Sequence, residues 1–257
     1  MRKPPLIKTR EMVKAKLQLL EALGDIQVAL KLLSRPGDAR LHPLDRSYQQ
    51  LGVGILPVEK SSSTWQSVQH SIQSTHATTH SQYGMEVLEL FKLDKQAERE
   101  QWEDRGNCRL LYHGSRLSNW AGILGQGLRI APPEAPSTGY MFGKGVYFAD
   151  MSSKSANYCY TSRSQPVGLL LLCLVSLGKP NRLLAADYEA NKEFCSNISG
   201  TKAFNALYDA IAMLMCAAAA AGRHALCAGA GQGGAGWVAG VGGRAAGAGG
   251  AAKDHQG

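Results

Sequence analysis

At 257 residues, 44% hydrophobic and 19% charged, the chain has the composition of a globular protein with a genuine core, and its length suits one large domain or two modest ones. The net charge of +8 and pI near 9.2 permit attraction to a polyanion, but the basic residues are scattered, so charge alone does not point to nucleic acid. Six cysteines (Cys108, Cys159, Cys173, Cys195, Cys216 and Cys227) form no CxxC pair, which excludes the usual zinc spacings, and residues 1–10 are too polar for a secretory signal; free thiols in a reducing, intracellular compartment are expected.

Residues 11–34 read as helical. Val13, Leu17 and Leu20 form a stripe that asks for a partner surface; Gly24 breaks its phase, and Asp25 is placed to cap a second set of turns lined by Ile26, Leu30 and Leu33. Pro36-Gly37 ends this piece. Residues 41–82 look mixed and turn-rich, with 61–64 as a surface loop. Residues 87–93 read as a strand with one buried face, and 94–105 as a solvated connection.

Short strands and helices then alternate. Residues 109–113 make a strand ending in a polar cluster. Ser118 is a candidate cap for a helix whose apolar face holds Trp120, Ile123 and Leu124, and Gly127 stops it. Residues 131–145, rich in proline and glycine, form a shaped loop. Residues 145–149 are a strand, Asp150 is placed to cap a helix over 151–158, and 167–177 is a core strand. That apolar run of 11 residues is too short to cross a bilayer, and 204–221 carries Asn205 and Asp209, so no membrane association is expected. From 217 to 252 the chain is dominated by alanine and glycine, which offer too little apolar side chain to offset the entropy of ordering; disorder or a frayed helix is expected, and no site.

The glycines near aromatic and basic residues suggest a nucleotide site. Gly139 to Gly145 has the glycine-lysine flavour of a P-loop but lacks its spacer and its Ser/Thr, and no GxGxxG follows a strand, so both common nucleotide motifs fail. What remains is His113-Gly114-Ser115 at a strand end, Gly127-Leu128-Arg129 after a helix, and Gly145-Val146-Tyr147-Phe148-Ala149 leading to Lys154-Ser155-Ala156-Asn157-Tyr158. A strand-end His-Gly-Ser presents an imidazole, a free backbone face and a hydroxyl together, and two tyrosines on a strand and the following helix can flank a flat ring. Singly, His113 reads as a structural histidine and Tyr147 as core.

On these stretches, with Gly127 to Pro136 and Thr75-His76-Ala77-Thr78-Thr79-His80, the chain resembles the catalytic domain of the DNA-dependent poly(ADP-ribose) polymerases. Residues 11–34 resemble the last helices of the regulatory helical domain preceding it, and the likeness covers roughly residues 11–190, with Tyr112 where the family usually has tryptophan. The resemblance implies an α+β fold: an ADP-ribosyltransferase-type split β-sheet domain, truncated at its C-terminal end, behind an α-helical segment. It divides the chain into the end of the helical domain (1–40), an incomplete transferase domain (41–192) and an Ala/Gly-rich tail (193–257). It implies NAD as substrate, no metal, a nuclear location and a role in DNA repair. Protein acceptors of ADP-ribose, the chain itself among them, would be its partners, with damaged DNA reached only through modules not visible here.

By resemblance, Gly114 holds the nicotinamide carboxamide with help from Ser115, and Tyr147 and Tyr158 sandwich the ring. His113 binds the adenosine ribose; Asn119, Gly122, Arg129 and Tyr140 line the adenosine and diphosphate side; Lys154 and Ser155 sit beside the reacting ribose. His113 and Tyr147 belong to a catalytic His-Tyr-Glu set whose glutamate stands on a late strand. That third position is empty: the last glutamate is Glu193, the expected position falls near Trp237, and the role does not transfer to Glu189, Glu193 or Asp209. The simplest account is that family sequence stops near residue 190 and that readthrough of GC-rich non-coding sequence, or a mis-joined gene model, follows. Three readings result: a polymerase-type NAD ADP-ribosyltransferase; a silent fragment that at most binds NAD; and a mono-ADP-ribosyltransferase or NAD glycohydrolase. Loss of the late strands would expose sheet edges and core.

Overall fold

The computed structural model describes residues 6–34, 38–100, 102–130, 142–143, 145–179, 183, 185–187, 213–219 and 237–240. Its elements run α1 (Arg10–Leu33), α2 (Pro43–Leu51), β1 (Gly54–Pro57), α3 (Ser63–Ser74), β2 (Gly84–Asp94), α4 (Gln96–Arg99), β3 (Cys108–Gly114), α5 (Trp120–Gln126), β4 (Val146–Ala149), α6 (Ser152–Ala156), β5 (Val167–Ser176), β6 (Met213–Ala219) and β7 (Trp237–Gly240). The class is α+β. All strand pairs are antiparallel, in the order β1-β2-β6-β5-β3-β4-β7. Between β3 and β4 the register holds at one pair, Tyr112 and Ala149, so the sheet splits there into a large part and a β4–β7 ribbon.

Alternation along the central strands builds two cores. Leu111, Leu171, Cys173 and Val175 face one side with Trp120, Leu124, Val146 and Phe148, under α5. Tyr112, Leu170 and Leu172 face the other with Trp65, Val68, Ile72 and Cys159, under α3 and α6. The strand β5 is buried along both faces because β3 and β6 flank it and helices cover it, which is why it reads as a continuous apolar run.

Several expectations need correction. The first helix is unbroken: Gly24 and Asp25 lie inside α1, capped by Thr9, whose hydroxyl accepts from the Met12 N–H. One glycine costs about 1 kcal/mol against alanine, too little to end a 24-residue helix. The expected stripe buries only in part: Leu17 is half-buried, but Val13, Leu20, Ile26, Leu30 and Leu33 are exposed, Leu20 by 61%. The helix docks through Gln18, Ala22, Asp25, Ala29 and Leu32, the next face round. Of the expected loop 61–64, residues 63 and 64 are the start of α3, because the Ser62 hydroxyl caps it by accepting from the Trp65 N–H, and 61 and 62 form the turn before it. Neither Ser118 nor Asp150 caps a helix; α5 opens out of a 3-10 turn at Leu117–Asn119, and Met151 precedes α6. Gly127 does end α5, at φ 78°.

The connection 94–105 holds α4 and a buried ion pair, Lys95 Nζ to Glu98 Oε1 at 2.7 Å. Within the tail, 213–219 and 237–240 are strands, and β6 fills the place between β2 and β5. Low side-chain bulk weakens a core, but ladder bonds come from backbone N–H and C=O, which alanine supplies like any other residue.

Candidate active site

The site forms where β3 runs out. In His113 the Nδ1 lies 2.9 Å from the Tyr147 carbonyl. A carbonyl only accepts, so Nδ1 carries the proton and Nε2 is left as an acceptor. Burial lowers the His113 pKa from its ordinary 6.5, against the raising effect of the Tyr147 bond, which keeps the ring neutral near pH 7. Its ring meets Phe148 edge-on, with centroids 5.9 Å apart.

After His113 the chain turns at Gly114-Ser115. Asn119 Nδ2 donates to Ser115 Oγ at 2.9 Å, Asn119 Oδ1 accepts from the Ser118 hydroxyl, and Trp120 Nε1 donates to the Ser115 carbonyl. These bonds hold the turn open on one side as a cleft of about 180 Å³. Its floor is Gly114 and Ser115, its far wall Tyr158 and Tyr160, and Asn119 and Arg116 complete that side. Clefts that hold a whole small ligand usually measure roughly 300–1,000 Å³, so this one has room for part of such a ligand, of the order of one ring.

The remaining wall is α1, through Gln18, Glu21, Ala22 and Asp25. The Asp25 pKa is raised, first by burial and then by Glu21, while Arg116 opposes the shift. Arg116 stacks on Tyr160, its guanidinium carbon 3.5 Å from the ring centre. Sequence reasoning missed these groups. Arg116 directly follows the His-Gly-Ser triplet and Tyr160 stands two beyond Tyr158, signals that were there to use; which face of α1 turns inward was not legible.

Of the expected residues, Gly114, Ser115, Asn119 and Tyr158 share the cleft, and Tyr158 is 44% exposed to it and to solvent. Tyr147 does not line it. Val146 and Phe148 belong to the core under α5, so alternation turns Tyr147 to the face on which α6 packs; its hydroxyl donates to the Gly143 carbonyl at 2.5 Å and accepts from the Phe142 N–H. Ser155 is buried, with its hydroxyl on the Tyr112 carbonyl. The Lys154 pKa is lowered by burial, an effect that Asp150 opposes. Gly122 faces Val28 of α1, and Arg129 is exposed and bonded to Gln126. Tyr140 lies outside the described residues. Among the described residues, no group of three or more His, Cys, Asp or Glu could hold a metal ion, and no helix is long and apolar enough to cross a membrane.

Residues 62–206 match the family model described as the poly(ADP-ribose) polymerase catalytic domain. The chain belongs to this family. Residues 1–48 also match the poly(ADP-ribose) polymerase regulatory domain, so α1 and most of α2 carry that second resemblance. The likeness therefore reaches past residue 190, where it was expected to stop, and begins before residue 11. Among similar proteins, human "Poly [ADP-ribose] polymerase 2" is 54% identical over 191 residues, 74% of this chain and 33% of that protein. "Poly [ADP-ribose] polymerase 2-A" of Oryza sativa subsp. japonica is 52% identical over 189 residues, 72% of this chain and 29% of that protein. "Poly [ADP-ribose] polymerase 1" of Gallus gallus is 48% identical over 193 residues, 73% of this chain and 19% of that protein. The chain thus spans about a third or less of the length of these relatives.

Against the tryptophan usual in the poly(ADP-ribose) polymerase family, Tyr112 keeps an aromatic in the core under α3 and gives its hydroxyl a partner, the Ser71 hydroxyl 2.5 Å away. Replacing Tyr112 with phenylalanine is expected to cost about 1 kcal/mol, read as a lower urea midpoint. An unchanged midpoint would mean that this contact contributes nothing.

Proposed function

We propose that the chain acts as an NAD ADP-ribosyltransferase of the poly(ADP-ribose) polymerase type. The single observation that supports this most is the clustering of Gly114, Ser115, Asn119 and Tyr158 around one ring-sized cleft in a chain of that family. Nicotinamide would lie along Tyr158, its carboxamide on the Gly114 backbone and the Ser115 hydroxyl; Tyr147, which lines another face, would not complete a sandwich in this cleft. His113 Nε2 would accept from a hydroxyl of the adenosine ribose, with Asn119, Gly122, Arg129 and Tyr140 along the adenosine and diphosphate side and Lys154 beside the reacting ribose; Ser155, buried on the Tyr112 carbonyl, would act by holding α6 in place.

In the reaction the bond between nicotinamide nitrogen and the anomeric carbon breaks, and its electron pair leaves with nicotinamide. The anomeric carbon then bonds to an acceptor oxygen, which gives up its proton. Positive charge develops on the ribose, so a carboxylate near it would stabilise the transition state. The strand β7 runs beside β4 with Ala239 opposite Tyr147, and its four residues, Trp237, Val238, Ala239 and Gly240, include no acid. The acceptors are proteins, the chain itself among them, and the setting is the nucleus and DNA repair.

Incubating the full chain with labelled NAD tests this. Labelled polymer on protein, with free nicotinamide in equal amount to transferred ADP-ribose, is the expected result. Single adducts or free ADP-ribose would replace it with mono-transfer or glycohydrolysis. Binding without turnover would leave an NAD-binding chain only.

A further inference from the structure

The Thr75-His76-Ala77-Thr78-Thr79-His80 stretch marks the family resemblance yet lines no part of the cleft. It clasps α6 instead. That helix has five residues, far below the about 12–15 at which a helix begins to hold itself in water, so its neighbours set its orientation. On the sheet side Ser155 Oγ donates to the Tyr112 carbonyl. On the other side Ser152 Oγ donates to the Ile72 carbonyl, the Ser152 N–H to the Thr75 carbonyl, and the Ala77 N–H to Ser153 Oγ.

His80 closes the clasp. Its Nδ1 is 2.8 Å from Ser153 Oγ and its Nε2 is 3.3 Å from Asn157 Nδ2. The Tyr83 hydroxyl lies 2.9 Å from both the Ser153 carbonyl and Asn157 Oδ1, and the Asn157 amide stands with its NH2 toward the ring. An amide NH2 only donates, so Nε2 accepts and Nδ1 carries the proton to Ser153. With the amide standing this way, neutral imidazole satisfies the arrangement. A proton on Nε2 would set two donors against each other across that contact.

We propose that His80, acting through Ser153 and Asn157, is a positioning residue that fixes α6 and with it Tyr158 in the nicotinamide cleft. The proposal rests on the nicotinamide reading above. Asn157 is adjacent to Tyr158, and α6 holds Ser155 against Gly114, so a displaced α6 moves both the wall and the floor of the cleft. The titratable and charged groups facing His80 are His76 and Tyr83 from its own segment and Lys154 from α6, with Asp150 opposite Lys154. Burial first, then His76 and Lys154, lower the His80 pKa from its ordinary 6.5. The clasp is therefore complete above that ordinary value and is lost as pH falls through the depressed one.

Benzamide, a nicotinamide analogue that cannot be cleaved, probes this in calorimetry on the full chain from pH 5 to 8. The wild-type dissociation constant is expected to rise as pH falls below the histidine range, by up to about tenfold per pH unit, the limit for one linked proton. His80→Phe should bind weakly at pH 8, and its affinity should lose this dependence. Asn157→Asp supplies a carboxylate that accepts from protonated imidazole, and its binding should persist to lower pH than that of the wild type. Hydrogen exchange of residues 152–159, corrected for intrinsic rates, should accelerate in His80→Phe while β5 stays protected, which separates a loosened clasp from general unfolding. A wild-type pH profile and affinity in His80→Phe would overturn the proposal and leave His113 as the group that titrates. Wild-type protein that binds no benzamide at any pH would overturn the nicotinamide reading, and the proposal's link to the ligand with it.

Discussion

Gly114→Ala is expected to abolish binding at the nicotinamide cleft and to destabilise the protein. A Cβ placed on Gly114 runs into the Ser155 carbonyl oxygen, lies 2.7 Å from that carbonyl's carbon and meets Cys159 Sγ at 3.3 Å. The obstacle is backbone, so no rotamer change relieves it. Nor can α6 retreat freely, since Ser155 is bonded to Tyr112, Ser152 to Ile72, and Cys159 Sγ to the Leu169 carbonyl. Burial pushes the Cys159 thiol pKa up to about 12, so it stays an uncharged packing group here. Overpacking of this kind costs about 1–3 kcal/mol, and the helix that must move leads into Tyr158. Gly84→Ala, with nothing within 4 Å of its added carbon, is the matching control and should stay within about 0.5 kcal/mol of wild type. Benzamide calorimetry and urea denaturation read both variants. Wild-type affinity and midpoint in Gly114→Ala would refute the close approach of α6 to β3.

The second large effect is expected at Lys95. Its ammonium and the Glu98 carboxylate are 2.7 Å apart, with side chains only 14% and 9% exposed. Glu98 also abuts Gly127, where an added carbon would come within 2.5 Å of Oε1. Lys95→Met leaves the carboxylate buried without its partner, and breaking a buried pair from one side costs about 3–5 kcal/mol. Replacing both residues with methionine removes the stranded charge and should recover most of that loss. Urea midpoints at constant m-value decide it. A double variant as unstable as the single one would show that the pair stabilises in its own right rather than merely cancelling two buried charges.

The strands β3, β4 and β5 were legible in the sequence because alternation and apolar runs are written into adjacent residues, and Gly127 announced the end of α5 in the same local way. The stretch from His113 to Tyr158 likewise carried the family, and four of its residues do meet in one cleft. Tertiary structure alone decided that α1 would turn Gln18, Ala22 and Asp25 inward while Leu20 and Leu30 face solvent, because a helix with apolar residues on several sides is oriented by what it packs against. It also decided that Lys95 and Glu98 are buried, that β6 lies between β2 and β5, and that His80 reaches Ser153 and Asn157. Each of these joins residues far apart in the chain or depends on a neighbour's shape, and local propensity holds no record of such contacts; the covalent order sets which strands and turns can form, while burial and pairing choose which of their faces and partners are used.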